Sequence, residues 1–427
     1  VETAVISYPG TSKIKKENIM YDAIVIGARC AGASTAMLLA RQGHKVLLVD
    51  RSTIPSEIPH GHFIHRGGPL RLNKWGLLDK IVASGCPPVS EVKVNLGDFP
   101  LTGKDLNVDG VPLGLGPRRR VLDKILVDAS VEAGAEVRER FVVEDFTTDG
   151  DRITGVKGRD TQANTRHTEQ AQIVIGADGR NSRLARAAQA PEYEYVPSIS
   201  CYYFSYWSGV PGAALELYVT EQQVIFAFPT NDNLFAVFIG WPIERFQQVR
   251  SDIEGNFMKG LEKAPDLARR VRAGRQEEPF YGTADLPNFF RKPYGPGWAL
   301  VGDAGHHKDP FMALGVADAF RDADLLSAAV QASLSGARPL DEALADYERQ
   351  RNKMSMAVYH ENIARARFTP PPPEAFQLRA ALRENQNQED INRFTMASLG
   401  LIPREAFFNP ENIGRIIQSA AMRIDVQ

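Results

Sequence analysis

The stretch "IPHGHFIHRGGPLRL" (58–72) places three histidines and two arginines close together. Imidazole is the side chain whose ordinary pKa lies nearest neutral pH. His62 and His65 are therefore candidates to take a proton from a weak acid such as a phenol. The plainer reading is loop polarity and packing. A second polar knot, "GHHKD" (305–309), offers His307 and Lys308 either to a pocket or to solvent. Cys30, Cys86 and Cys201 have neither disulfide-framework nor metal spacing. They read as reduced thiols, with Cys30 a small core residue. Neither a catalytic triad nor a metal cluster is visible.

Such groups need a scaffold, and the chain supplies signs of one. "IVIGARCAGAS" (24–34) lies between an apolar strand pattern, "YDAIVIGA" (21–28), and a helix pattern ending at Gly43. A second buried-strand pattern, "HKVLLVDR" (44–51), ends in Asp50 and Arg51. This is the strand–turn–helix–strand context of a dinucleotide-binding turn, with an acid placed to accept hydrogen bonds from ribose hydroxyls. Gly27 and Gly32 hold the outer fingerprint positions, but Arg29 stands where the middle glycine belongs. The loop tolerates that only if Arg29 keeps an ordinary backbone conformation. Its guanidinium then either lies over a phosphate or reaches a nearby carboxylate, or else it points to solvent.

Two further strand-to-turn units follow. "AQIVIGADGRNSRLAR" (171–186) runs into Asp178-Gly179. "GWALVGDAGHHKDPFMALGVADAF" (297–320) runs into Gly302-Asp303, then a proline loop at Pro310 and a long helix from about Gly315. "VLDKILVDASVEAGAEVRE" (121–139) reads as an amphipathic helix entering a strand. A helix is also expected at 73–83. Segments 86–112 and 193–282 carry aromatic and β-branched alternation, as in "SCYYFSYWSG" (200–209), which predicts antiparallel strands. "TPPPPEAF" (369–376) stiffens a break before short terminal helices.

The chain divides accordingly: a leader or disordered arm at 1–19, or else a native arm that packs on a partner; a discontinuous nucleotide domain at 20–85, 113–192 and 283–370; a twice-inserted substrate domain at 86–112 and 193–282; and a helical segment at 371–427. The 427 residues carry a formal net charge of −2, which gives no attraction to nucleic acid or to an anionic membrane. No apolar run approaches the roughly 18 residues of a membrane span. The expectation is a cytoplasmic monomer or homodimer.

Together, in this order, the Gly-rich turn, the arginine-rich "GPRRRVLD" (116–123), the Asp-Gly turn and the Gly-Asp turn resemble the FAD-dependent monooxygenases that share the para-hydroxybenzoate hydroxylase fold. The resemblance spans roughly residues 21–370. It implies an α/β fold: a Rossmann-like FAD-binding domain, an inserted antiparallel β-sheet substrate domain and a helical C-terminal region. It also implies site roles. Gly27 and Gly32 shape the loop under the FAD pyrophosphate, Asp50 holds the adenosine ribose, and Asp303 holds the ribityl or phosphate region. Arg119 contacts the flavin, with Arg118 and Arg120 as rivals. Gly315 sets backbone N–H groups beside the pyrimidine ring, and the histidine segment returns toward the isoalloxazine. Arg29, Arg51, Asp178, Gly302 and Pro310 complete the expected cofactor set. His62, His65 and His307 are the candidate bases.

The implied reaction uses NAD(P)H and molecular oxygen to hydroxylate a small aromatic or polycyclic substrate through a flavin hydroperoxide. Two departures bear on it: Met312 stands where a glycine is common, and Ala185 where the Asp-Gly motif usually ends in arginine. Flavin-dependent halogenases carry a similar "DP…GV" stretch, but their W-x-W-x-I-P motif has no counterpart in "VIFAFPTND" (224–232). Geranylgeranyl-reductase-like proteins share the fold, so a reductase of that type stays open, as does a non-catalytic flavoprotein.

Overall fold

The computed structural model describes residues 20–56 and 61–424. The expected arm at 1–19 and His60 lie outside them. Short apolar runs form five neighbouring parallel strands. In sheet order these are Glu136–Arg138, Val46–Val49, Met20–Ile26, Thr165–Gly176 and Trp298–Leu300. Their central residues, such as Ile24, Val25, Leu47 and Val174, are wholly buried, as a parallel sheet covered on both faces requires. Helices Cys30–Arg41, Arg119–Glu132 and Gly315–Leu334 cover one face through Met37, Leu122, Leu126 and Phe320. The hairpin Phe141–Asp149 and Arg152–Asp160 covers the other through Phe141, Val143 and Val156. Because the strands run in the same direction, their carboxyl ends bring Gly27, Asp50, Asp178 and Gly302 to one edge. Ligands of open α/β sheets bind at that edge.

The second sheet is built from Ser200–Ser208, Phe235–Pro242, Gln223–Pro229 and Leu215–Thr220, all antiparallel. Val92–Asn95 joins Leu215–Thr220 in a parallel pairing, and Pro100–Gly103 follows it antiparallel. The distant segments around 92 and 215 thus share one sheet. Alternation divides the aromatic side chains between its two faces. Tyr203, Trp207, Phe235 and Trp241 face three helices, Phe246–Ser251, Ile253–Leu261 and Pro265–Ala273. Tyr206, Phe228 and Phe238 pack on the opposite face, with Phe226 half-buried beside them. Those three helices fall within a segment whose alternation predicts strands alone. The expected helix at 73–83 begins earlier and is broken: Gly67–Lys74, then Leu78–Ala83. Pro69 sits in the first turn, where its missing N–H leaves no bond unmade.

Beyond Gly315 the chain is helical, and the proline run separates Leu340–Ala366 from Pro373–Asn385. Among the described residues no helix is long and apolar enough to cross a membrane.

Candidate functional site

The Gly-rich turn is as tight as its glycines imply. Gly27 has φ +103°, and a Cβ there would lie 2.5 Å from the Ala177 carbonyl oxygen. A Cβ at Gly32 would collide with the Gly27 carbonyl. The Asp50 carboxylate ties this turn to its own strand, accepting from the Ala28 and Ser52 N–H groups, each at 2.8 Å. Each oxygen keeps acceptor capacity for a further donor. The following residue, Arg51, is exposed and has no hydrogen bond among the described residues.

Arg29 precedes helix Cys30–Arg41 with φ −103° and ψ −164°, ordinary extended backbone, so this position does not need a glycine. Its Nη2 donates to Ser56 Oγ at 3.0 Å, while Nη1 is buried with no partner among the described residues. Burial lowers its pKa, against the pull of Asp123 and Asp50. A buried guanidinium nitrogen without an acceptor, beside a helix N-terminus, suits an anion. Arg29→Glu is expected to weaken FAD binding at least about tenfold, because a charge-assisted hydrogen bond contributes about 1.5–3 kcal/mol. Arg29→Gly is expected to be mild. Calorimetric titration of the apoprotein with FAD measures both, and equal, unchanged affinities would place Arg29 outside the phosphate field.

The three arginines of "GPRRRVLD" separate clearly. Arg119 makes a bidentate pair with Asp123, with Nη2 at 3.0 and 3.1 Å from the two oxygens. Burial alone would lower its pKa, but Asp123 outweighs it, with Cys30 and Asp303 adding to the rise. Arg118 lies 3.9 Å over the Tyr206 ring and pairs with Glu278 at 2.5 Å. Arg120 is half-buried and pairs with Asp232 at 2.6 Å. Arg119 also feels the Asp303 carboxylate of the Gly-Asp turn.

That turn packs directly on the first helix: a Cβ at Gly302, φ +61°, would lie 2.7 Å from Ala31 Cβ. The next side chain, Asp303, is exposed and has no hydrogen bond among the described residues. Gly315, which begins the 20-residue helix Gly315–Leu334, has nothing among the described residues within 4 Å of a would-be Cβ, so there is open space beside the positive end of that helix. Pro310 opens the short turn Pro310–Met312, and Asp309 caps it by accepting from Phe311 N–H at 3.0 Å. The left-handed residue of this loop is Ala313 (φ +50°), which follows Met312, the residue that stands where a glycine is common. Asp178 accepts from Arg183 N–H at 2.7 Å; its other oxygen is buried without a partner, and burial raises its pKa.

The histidines differ from expectation. His62 is 1% exposed, with Nδ1 3.1 Å from the Gly116 carbonyl and Nε2 3.0 Å from Tyr206 OH. The carbonyl can only accept, so Nδ1 carries the proton and Nε2 receives the tyrosine hydrogen. Burial, then the Arg118 charge, push its pKa down to about 3. Both nitrogens are occupied and the ring is a weak base, so the geometry suits a support for Tyr206 rather than a proton acceptor for substrate. His65 Nε2 donates to the Met312 carbonyl at 2.7 Å, its Nδ1 is buried without a partner among the described residues, and burial pushes its pKa down to about 4. His307 bonds the Pro287 carbonyl through Nδ1 and stacks on Phe289; burial lowers its pKa against the pull of Asp303. Lys308 is turned inward to Asp318, in a buried cluster where Arg321 bridges Asp318 and Asp322.

One residue absent from the sequence expectation joins the two sheets. Asp309 accepts from Ser200 Oγ and, at 3.0 Å, from Tyr202 OH, both on strand Ser200–Ser208. Its own N–H donates to Asn288 Oδ1 at 2.7 Å. The loop 310–314 is thereby fixed to the aromatic sheet. The open groove of about 990 Å³ near Glu384, Glu411, Arg415 and Met422 shares no residue with this site.

The glycine turns that admit no side chain, the unpartnered Arg29 nitrogen, the open helix end at Gly315 and the exposed Asp303 carboxylate fit a dinucleotide with a fused-ring head. An FAD binding domain family model matches residues 20–362. The chain belongs to this FAD-binding family. It is an FAD-dependent oxidoreductase with the Rossmann-like α/β fold of that family. It is 25% identical over 343 residues to a tryptophan 2-halogenase of Chondromyces crocatus, covering 76% of this chain and 64% of that protein. It is 27% identical over 393 residues to a kynurenine 3-monooxygenase of Salinispora arenicola, covering 81% and 83%. The solved structure of the flavin-dependent brominase Bmp2 superposes with TM-score 0.73 at 18% identity, over 96% of this chain and 100% of that one.

Proposed function

We propose that this protein is an FAD-dependent monooxygenase that uses NAD(P)H and molecular oxygen to hydroxylate a small aromatic substrate. One observation carries the reading: the loop 310–314, which leads into the helix at Gly315, packs through Phe311 and Met312 against the second sheet, where Leu217 and Phe226 are only partly covered. A flat apolar ring laid there adjoins the space left for the flavin. The bound flavin supplies the electron transfer and oxygen activation.

The chain's own residues bind and orient. Arg29, Asp50, Arg119 and Asp303 hold phosphate, ribose and ribityl groups, with Gly27 and Gly32 allowing close approach. The N-terminus of Gly315–Leu334 favours negative charge on the pyrimidine side. Asp309 holds the loop against Tyr202 and Ser200, so ring and cofactor keep their separation.

This last role has a pH signature. Burial pushes Asp309 up to about 6, opposed by its bonds from Ser200, Phe311 and Tyr202. Above that pH the carboxylate accepts from all three; as the pH falls through it, a proton occupies one acceptor position. We expect an acid limb near pH 6 in kcat/KM that is missing in Asp309→Asn, read from a pH–rate profile. The sign for stability is opposite. The folded carboxyl binds its proton more tightly than the unfolded chain, whose pKa is about 3.9. This group's contribution to stability therefore declines as the pH rises from about 4 to about 6.

Halogenation is the second reading, favoured by likeness to the halogenase and the brominase. A screen of phenols and quinones for stimulated NAD(P)H consumption, with products weighed, separates the readings. A gain of one oxygen supports monooxygenation. A gain of halogen or of two hydrogens overturns it.

A further inference from the structure

One face of helix Leu340–Ala366 holds the flavin-side segment 300–312 from behind. Tyr347, Arg351 and Asn362 stand four and then eleven positions apart, about one turn and three turns, so they share that face. All three are buried, at 1%, 0% and 0% exposure. Tyr347 OH donates to the Leu300 carbonyl at 2.9 Å, at the end of strand Trp298–Leu300. Arg351 Nη1 donates to the Gly305 carbonyl at 3.3 Å, just past the Gly-Asp turn. Asn362 spans the proline loop. Its Nδ2 donates to the Asp309 carbonyl at 2.9 Å, and its Oδ1 accepts from Met312 N–H at 3.0 Å. One helix thus holds the segment at four points, and Asp303 and Pro310 lie between them.

Arg351 is the most informative of the three. Its other bonds go to the Arg291 carbonyl at 3.1 Å, Tyr193 OH at 2.8 Å and Asn352 Oδ1 at 3.1 Å. All its acceptors are neutral, and among the described residues no carboxylate pairs with it. Burying a guanidinium without an acid is costly, and an apolar side chain would fill the volume without that cost. What the planar fork adds is a simultaneous hold on several backbone and side-chain oxygens. A second arginine does the same beside it. Arg291 donates through Nη1 to the Ala304 carbonyl at 3.1 Å, and its backbone N–H donates to the Gly305 carbonyl at 2.8 Å. The turn that carries Asp303 is therefore fixed through its carbonyls, while the Asp303 carboxylate makes no hydrogen bond among the described residues. We propose that this helix face is the positioning element of the site: Arg351 sets the Gly-Asp turn for the cofactor, and Asn362 sets the loop 310–314 for the substrate. The first half needs only FAD binding; the second rests on the proposed function, in which that loop borders the substrate.

The test compares Arg351→Met, Asn362→Leu and Tyr359→Phe in the full chain. Tyr359 lies on the same helix, but its OH donates to the Glu194 carbonyl, outside the held segment. Calorimetric titration of the apoprotein with FAD reads affinity, thermal unfolding reads Tm, and product of any kind per NAD(P)H consumed reads coupling. Arg351→Met should weaken FAD binding about tenfold or more. Its coupling should stay at the wild-type value once FAD is saturating, and Arg351→Lys should recover part of the affinity. Asn362→Leu should bind FAD within about twofold of wild type. It should lose about half of its coupling or more, because the loop no longer keeps its place, and Asn362→Gln should recover part. Tyr359→Phe should lower Tm alone. Removing Arg351 strands no charge, and should Arg351→Met still fail to fold, the weakened affinity of Arg351→Lys tests the first half. Unchanged FAD affinity in both Arg351 variants, unchanged coupling in Asn362→Leu, equal loss of FAD affinity in Arg351→Met and Asn362→Leu, or a Tyr359→Phe protein that loses affinity or coupling would each overturn the inference. Halogenated or saturated products that still show this split would remove monooxygenation and leave the positioning face standing. Products that gain one oxygen with no split would do the reverse.

Discussion

Gly32→Ala is expected to give a colourless, destabilised protein. The added methyl would collide with the Gly27 carbonyl and stand 3.0 Å from Ala177 Cβ. Neither neighbour can yield. Gly27 is pinned by its N–H bond to the Val49 carbonyl at 2.8 Å, and Ala177 by its N–H bond to the Ile26 carbonyl at 2.8 Å. Ordinary overpacking costs roughly 1–3 kcal/mol because side chains shift to absorb it. Here the opposing atoms are largely backbone of the central strands, so the loss should reach or exceed the top of that range. Flavin absorbance after reconstitution and Tm are the readouts. Gly414→Ala is the control: it lies in helix Pro410–Ile424 with nothing among the described residues within 4 Å of the new methyl, and should keep the flavin and leave Tm the same or slightly higher. A yellow Gly32→Ala protein with an unchanged Tm would mean that the turn is not packed in this way.

Arg119→Met should cost about 3–5 kcal/mol, the usual penalty for breaking a buried ion pair and leaving one charge behind. The stranded group is Asp123, whose side chain is 4% exposed against 11% for Arg119. Chemical denaturation measures the loss. The double variant Arg119→Met with Asp123→Leu removes both charges and should recover most of the stability, since an apolar replacement of a buried pair is often neutral. FAD affinity should stay low in the double variant if Arg119 serves the cofactor. Full recovery of both stability and FAD affinity would confine Arg119 to a structural role.

Much of the cofactor half is legible in the sequence because its signals are local. A strand that ends in a glycine turn carries its meaning within a few residues, and Gly27, Asp50 and Gly302 stand at one edge as that context implies. Arg29 is legible as an anomaly; that it needs no special backbone follows only from its φ and ψ. The substrate half is harder to read. Alternation predicts strands through 193–282, but it cannot say which face of Tyr203 or Tyr206 is inner, because both faces are aromatic. It also hides helices Ile253–Leu261 and Pro265–Ala273, whose own signals are present. Asp252 caps the first by accepting from Gly255 N–H, Pro265 opens the second, and Phe257, Leu261, Leu267 and Val271 recur at helical spacing. The histidines depart from expectation for a reason that no window of sequence contains. The low basicity of His62 comes from burial and then from the Arg118 charge, and its ring is held by Tyr206 and Gly116, which lie 144 and 54 positions away. Asp309 carries no local signal, because its partners Ser200 and Tyr202 are 109 and 107 residues distant.

Monooxygenation is tested most directly by the origin of the oxygen in the product. The holoenzyme would be turned over with NAD(P)H and an accepted aromatic substrate under isotopically heavy oxygen gas, in ordinary water. The prediction is a product heavier by one labelled oxygen atom, formed in proportion to the reductant consumed. A product that carries unlabelled oxygen, a halogen or two added hydrogens, or reductant consumption that yields peroxide alone for every aromatic offered, would contradict it.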